Sequence, residues 1–510
     1  MSGRTGIRRA AILAASASLA LVAVPVADAA PAKSALDGPK LAKSLTKDVT
    51  AEGVNRHLIA FQRIADRNGG NRAAGTPGYD ASVDYVAGKL RGAGFDVTTP
   101  EFTYPVQITD AAIAKVGATT YENIPMEFSP QTPVGGVTGP LRVVPEDATP
   151  GCEATDFAGQ DFTGAIALIR RGACTFDIKH RNAAAAGAIA VIVANNVEGP
   201  LSGVTLGSPG VVPTGGVSRA DGTALAGLGG QTVTVDLRYH EEDRVSRNVI
   251  AQTRTGRKDN VVMAGAHLDS VENGAGINDN GTGSAGLLET ALKLGGSPKV
   301  NNAVRFGWWG AEELGLVGST KYVQSLTFEQ QLDIALYLNF DMIGSPNAAY
   351  FVYDGDDSDG VGAGAGPYGS AQIEQAFVEY LTVEKGVQTE GTDFTGRSDY
   401  GEFIAQGIPA GGLFTGAEGV KTEAQAAKWG GTAGIAYDPN YHGSGDNLGN
   451  VDRVALDRNA DALAWVTASY AISTESVNGV PARSQRAAAR AAALRSLHVE
   501  AHQHSHADVA

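Results

Sequence analysis

Five residues that could hold metal ions stand in separate short segments: His267 in AGAHLDSV, Asp279 in GINDNGTG, Glu313 in WWGAEELG, Asp341 in NFDMIG and His442 in YHGSGD. A further carboxylate, Glu312, directly precedes Glu313. Two imidazoles and three carboxylates suit a pair of divalent cations that share one carboxylate. A set without thiolates points to zinc, with cobalt or manganese as substitutes. A glutamate beside the ligands but not among them is what metal-assisted hydrolysis requires as a proton shuttle. Adjacent carboxylates at a buried strand end repel unless a cation or a proton separates them. The Glu312-Glu313 pair is therefore the sharpest single signal.

The segments around these positions indicate how such a site is built. NVIAQT, NVVMAGAH, AVRFGWWGAEE and ALYLNFDMIG are short apolar, β-branched or aromatic runs that read as buried strands. His267, Glu312, Glu313 and Asp341 fall where these runs end. In an open α/β sheet, ligands bind outside the carboxyl ends of parallel strands. Asp279 lies in a Gly/Asn-rich loop ahead of the helix-like LLETALKL, and such a loop tolerates unusual dihedrals beside a ligand. Upstream, EGVNRHLIAFQRIADRNGG carries Val54, Leu58, Phe61 and Ile64 at helical spacing and stops at Gly69-Gly70. That stripe reads as core-facing, with His57 beside it structural.

Together with NGGNRAAGTPGYDASVDYV, LNFDMIGSPN, GGLFTGAEG and KWGGTAG, these segments resemble the co-catalytic di-zinc aminopeptidases of the MH clan, especially small secreted bacterial enzymes that prefer large apolar N-terminal residues. The resemblance covers about 48–102 and 246–473. It implies an α/β fold with a mixed, largely parallel central sheet flanked by helices. It also implies that Asp279 bridges two zinc ions, His267 and Asp341 completing one site and Glu313 and His442 the other. Glu312 is then the general base that shuttles the proton of a bridging water, and Tyr441 hydrogen-bonds the developing oxyanion. Arg397, in GRSD, contacts the substrate, and Met342 and Phe414 match the family's apolar specificity pocket. Asp48, Asp457 and Asp461, with the Val49 carbonyl, match positions that bind calcium in some secreted relatives, a hard-oxygen set suited to that ion. In one respect the chain departs from the pattern. Relatives close a small disulfide around the last histidine, whereas residues 440–445 here read NYHGSG, so the loop is expected to be less constrained.

Between about 103 and 243 the texture changes to Gly, Val, Thr and Pro with short strand-like runs, GAIALIRRG and AIAVIVANN, around a helix-like KHRNAAAAG. This segment resembles protease-associated domains: a β-rich α+β insertion within the peptidase domain, without a clustered ligand set of its own. The peptidase domain is thus expected to be discontinuous, 48–102 and 244–475, behind an N-terminal extension at 31–47. Cys152 and Cys174 are the only cysteines, and an isolated pair in a secreted chain is most simply a disulfide. Its loop closure stabilises by roughly 3 kcal/mol in the chain-entropy account.

The N-terminus has the organisation of a secretory leader over 1–30: Arg4, Arg8 and Arg9, then an Ala/Leu/Val run from Ala10 to Val24, then Ala27-Asp28-Ala29. Location outside the cell follows. Within 510 residues, 40 basic and 55 acidic side chains leave a net charge of −15, which disfavours nucleic acid. No stretch after residue 30 reads as a bilayer span, so no stable membrane association is expected, and the chain reads as a monomer acting on peptide or protein N-termini. Residues 476–510 are Ala/Arg-rich and then His-rich (His502, His504, His506), a tail beyond the catalytic resemblance. Three other functions share the fold: a carboxypeptidase, a receptor-like binding protein and a single-zinc glutaminyl cyclase-like enzyme. The aminopeptidase-like WWGAEELGL and GGLFTGAEG oppose the first, and the complete ligand set opposes the second.

Overall fold

The computed structural model describes residues 36–479, apart from 202, 203, 361 and 363. The leader at 1–30 and the tail histidines lie outside the described residues.

Two eight-stranded sheets organise the chain. The first has the spatial order Asp96–Thr98, Val249–Gln252, Asn302–Trp309, Arg257–His267, Ile334–Phe340, Ala410–Phe414, Phe351–Tyr353, Glu390–Thr392. Its four central strands, from Asn302–Trp309 to Ala410–Phe414, run parallel, and the flanking pairs include antiparallel neighbours. Strand Ile334–Phe340 is buried at every position, as a parallel strand with both faces covered must be. Helices Ala51–Arg67, Gly283–Leu294 and Arg453–Ile472 contribute to the main core, where Val54, Leu58, Phe61, Leu287 and Leu463 are buried with Val262, Ala264, Phe306 and Leu338 of the sheet. His57 is structural: its ring bonds Tyr85 Oη at 2.7 Å and Glu289 Oε2 at 3.1 Å.

The N-terminal extension does not stand apart. Helix Gly38–Asp48 packs along Arg453–Ile472, and Ala42 and Leu45 enter the same core. At the other end, short helix Glu475–Asn478 places Val477 in that core.

The second sheet belongs to the insertion. Strands Glu101–Val116 and Thr232–Arg247 form one long antiparallel ribbon, paired from Glu101 with Arg247 to Val116 with Val233. The ribbon carries the chain out of the first domain and back again. Its root packs there through Phe102, Tyr104 and Ala311. Beyond it, Val137–Val143, Ile166–Arg170, Ala190–Ala194 and Thr214–Val217 continue the sheet. Alternation along Ile166–Arg170 sends Ile166 and Leu168 into one apolar cluster and Ala167 and Ile169 into another, one on each face. Helix Phe176–Ala185 matches the KHRNAAAAG run, and Cys152 and Cys174 form a disulfide.

Candidate metal centre

The carboxyl ends of the parallel strands deliver the expected ligands to one place. His267 ends Arg257–His267, Asp341 follows Ile334–Phe340, and Glu312 and Glu313 follow Asn302–Trp309. Asp279 comes from the turn that feeds helix Gly283–Leu294, and His442 from the loop ahead of Arg453–Ile472. The backbone is strained where these loops converge. Of seven non-glycine residues with positive φ among the described residues, Ala311, Leu316, Met342 and His442 lie at or beside the site. Gly276, at φ 60°, opens the Asp279 turn at a point where a Cβ would collide with the Asp279 carbonyl and Ser270.

Among the described residues three groups of potential ligand atoms occur; two of them, the triads His267–Asp279–Asp341 and Asp279–Glu313–His442, form here, and the third, Asp354–Asp356–Glu374, shares none of these residues. Asp279 belongs to both triads. Its Oδ1 lies 3.2 Å from His267 Nε2 and its Oδ2 lies 3.3 Å from His442 Nε2. Asp341 Oδ1 is 3.3 Å from His267 Nε2, and Glu313 Oε2 is 2.9 Å from His442 Nε2. Glu312 enters neither triad. Its carboxylate reaches His267 Nε2 only at 3.9 Å and faces the same cavity.

The donor set fits divalent cations. Asp279, Glu312, Glu313 and Asp341 line a cavity of about 430 Å³ whose only Lys or Arg among the described residues is Arg397. Glu313 Oε1 and Asp341 Oδ1 are buried without a hydrogen-bond donor. Burial and the surrounding carboxylates push the Glu312 carboxyl well above the usual range, and burial and Asp279 lift Glu313 to about 7. Burial alone would lower both histidines. Its effect is outweighed at His267 by Glu312, Asp341, Asp269 and Asp279, and at His442, raised to about 10, by Asp279 and Glu313. The carboxylates thus compete for positive charge, and two dications would supply it.

Several orienting residues carry no signal of their own in the sequence. Buried Asp269, two residues after His267, accepts the Glu312 and Glu313 backbone N–H groups at 3.2 and 3.3 Å and lies 3.6 Å from His267 Nδ1. Asp446 accepts the backbone N–H groups of Asn278 and Asp279 at 2.7 and 3.0 Å. Ser398 donates to Asp341 Oδ2 at 2.6 Å and accepts from Asn339 at 2.8 Å, leaving Oδ1 for a metal. Such outer partners fix ligand orientation. The His442 loop lacks a disulfide but is braced. Asn440 and Asn450 bond each other at 2.7 Å, Asn450 donates to Asp438 and Asp446, and Asn278 donates to Asp438 at 2.6 Å.

The expected substrate residues line the same cavity: Met342, Phe414, Arg397 and Tyr441, with Leu316, Tyr353 and Ala417 adding apolar wall. Arg397 bonds Glu418 at 2.8 Å and donates to Tyr441 Oη at 3.2 Å. Burial raises the Tyr441 pKa, so its phenol stays neutral.

The profile of Peptidase family M28 matches residues 248–467, and that of the PA domain matches residues 137–225. A probable lipoprotein aminopeptidase, LpqL, of Mycobacterium tuberculosis is 48% identical over 459 residues, covering 88% of this chain and 91% of that protein. The chain belongs to peptidase family M28. An aminopeptidase of Pseudomonas aeruginosa is 46% identical over 473 residues, covering 88% of this chain and 86% of its own length. Among solved structures, a zinc aminopeptidase from Bacillus subtilis superposes with a TM-score of 0.63 at 25% identity, covering 82% of this chain and 94% of that one. The aminopeptidase from Aneurinibacillus sp. strain AM-1 gives 0.59 at 28% identity, covering 83% and 95%. These matches bear out a zinc aminopeptidase with an α/β fold and an inserted PA domain. The M28 match spans the Glu312-Glu313 pair, Asp341 and the last histidine, His442.

Proposed function

We propose that this M28 peptidase is a di-zinc aminopeptidase that removes large apolar residues from peptide N-termini. The observation that carries the reading is the division of the Asp279 carboxylate, one oxygen toward each imidazole, between two ligand triads. His267, Asp279 and Asp341 would hold one zinc, and Asp279, Glu313 and His442 the other. When bound, the zinc pair supplies an acidified water and polarises the scissile carbonyl. Glu312, anchored through its backbone to Asp269 and outside both triads, accepts the water proton and hands it to the leaving amine. Tyr441 receives a hydrogen bond from Arg397, which leaves its own O–H proton free to donate to the developing oxyanion. Met342, Phe414, Leu316 and Tyr353 give part of the cavity an apolar wall, which supports the side-chain preference. A free α-amine would be held by the carboxylates at the site, which makes the enzyme an exopeptidase.

The test is chelation followed by zinc titration with an aminoacyl nitroanilide panel. Activity should vanish and return with two zincs per chain, leucine-type substrates should lead, and N-acetylated peptides should be inert. Full activity with fewer than two zincs sinks the di-metal assignment, and cleavage of N-acetylated peptides favours a carboxypeptidase. Glu312→Gln should retain both zincs and lose about 10²–10⁴-fold in kcat. A loss under about tenfold removes Glu312 from the proton-transfer role.

We also read the chain as secreted. The leader-like N-terminus and the Cys152–Cys174 disulfide support this. Among the described residues no helix is long and apolar enough to cross a membrane. Recovery of the protein in the culture medium checks the assignment. Calcium is the remaining part of the reading. The helix ending at Asp48 packs along the helix bearing Asp457 and Asp461. Lys385 Nζ pairs with Asp461, so a calcium ion would have to displace that ammonium. Adding calcium to zinc-loaded, calcium-free protein should raise Tm, and an unchanged Tm removes the site.

A further inference from the structure

Arg72 belongs to the NRAAG segment after the first long core helix, contributes nothing to the cavity wall, and is fully buried. Its guanidinium lies 5.0 Å over the Phe61 ring. Its donors converge on two ligand-bearing stretches at once. Nη1 donates to the carbonyl of Leu268, the residue after His267. Nε donates to Ala275 O at 2.9 Å and Nη2 to Gly276 O at 2.5 Å, at the start of the turn that carries Asp279. The Arg72 backbone N–H donates to Ser270 Oγ at 2.9 Å, and that hydroxyl also bonds Gly274 O at 3.0 Å. The loop from 268 to 276 therefore leaves one metal ligand and arrives at another with both ends gripped by one planar side chain.

We propose that Arg72 is a positioning residue that fixes the separation between His267 and the bridging Asp279, and thereby sets how tightly the zinc pair is held. The inference rests on the di-zinc reading. The physical case is geometric. Three buried carbonyls from two segments need donors, and a buried carbonyl without one is costly. A guanidinium presents five N–H groups in a rigid fork, so it satisfies all three and holds them at a set spacing. A lysine keeps the charge but is a flexible point donor. It cannot impose that spacing. Arg72 also places a positive charge beneath Asp269, Asp446 and Asp279, a contribution that lysine preserves and that therefore separates charge from shape.

The test compares wild type with Arg72→Lys by competitive zinc titration against a chromogenic chelator, with circular dichroism as a check of folding. Wild type should bind two zincs. Fewer would remove the di-zinc reading and this proposal with it. With two bound, Arg72→Lys should be folded and should lose about tenfold or more in zinc affinity, the range typical of groups that orient metal ligands. At saturating zinc its KM should stay near the wild-type value. A residue that only packs the core would lower Tm and leave zinc affinity unchanged. A folded Arg72→Lys protein with affinity within about twofold of wild type overturns the proposal, because the expected loss is about tenfold or more. Should that variant fail to fold, Ser270→Ala removes the Arg72 N–H contact in the same loop. Weaker zinc binding there supports the clamp, and unchanged binding overturns it.

Discussion

At the scale of single residues, the candidate site separates groups that would hold metal from groups that orient them. Glu312 and Glu313 are neighbours in the chain, yet only Glu313 joins a triad, and Asp269 grips the backbone of both. A different carboxylate, outside both triads, offers a titration test. Glu374 Oε2 accepts the Gly355 N–H at 2.8 Å, facing Asp354, Asp356 and Asp359. Burial, then those three carboxylates, raise its pKa to about 7. A carboxyl raised on folding favours the folded state when protonated. That contribution is fully present below the unfolded value and is lost as pH rises through about 7. Glu374→Gln should therefore raise Tm relative to wild type more at pH 8 than at pH 5. Equal differences at the two pH values would show that Glu374 ionises without penalty.

At the scale of elements, parallel strands and the loops after them do the assembling, and the long ribbon governs the insertion. Strands Glu101–Val116 and Thr232–Arg247 pair along their length, so the two tethers act as one stiff stalk rather than as separate linkers. Every described residue that lines the candidate cavity comes from outside the insertion. Replacing the distal part of the insertion with a short turn across the ribbon should therefore leave hydrolysis of a single aminoacyl nitroanilide nearly unchanged. If the insertion restricts or guides longer chains, activity on long peptides should change more. Equal changes for both substrate lengths, in a variant that still binds two zincs, would leave stability as its contribution.

At the scale of the whole molecule, both ends of the described chain close the peptidase core. Helix Gly38–Asp48 packs on Arg453–Ile472, and Val477 is buried beside Gly369. A cut near Ser476, where the sequence texture changes, would remove that buried valine. The boundary for a tail truncation therefore falls after Gly479. Removing residues 480–510 should leave zinc content and short-substrate hydrolysis nearly unchanged. A large loss of either would show that the tail packs on the catalytic domain.

Legible in the sequence were the candidate ligands, the strands that end at them, and the presence of a PA-like insertion in a peptidase chain. The reason is local. Runs such as VVMAGAH and LYLNFDM carry their burial in their composition; a single histidine or carboxylate at the end of one says little, but five candidate ligands with the adjacent Glu312-Glu313 pair point to one cation site. The Ala51–Arg67 helix was legible for the same reason, from one apolar stripe. Partnership across the chain was decided by tertiary structure. Asp269 is unremarkable until its carboxylate is seen under the Glu312 and Glu313 amides, 43 and 44 residues away. Arg72 reads as a polar loop residue until it is found buried, more than 190 residues from the carbonyls it grips. The His442 loop looked slack without a disulfide because a network of Asp438, Asn440, Asp446 and Asn450 leaves no periodic trace. Hydrophobic pattern is written along the chain, whereas the pairing of buried polar groups depends on which distant segments the fold brings within hydrogen-bond reach.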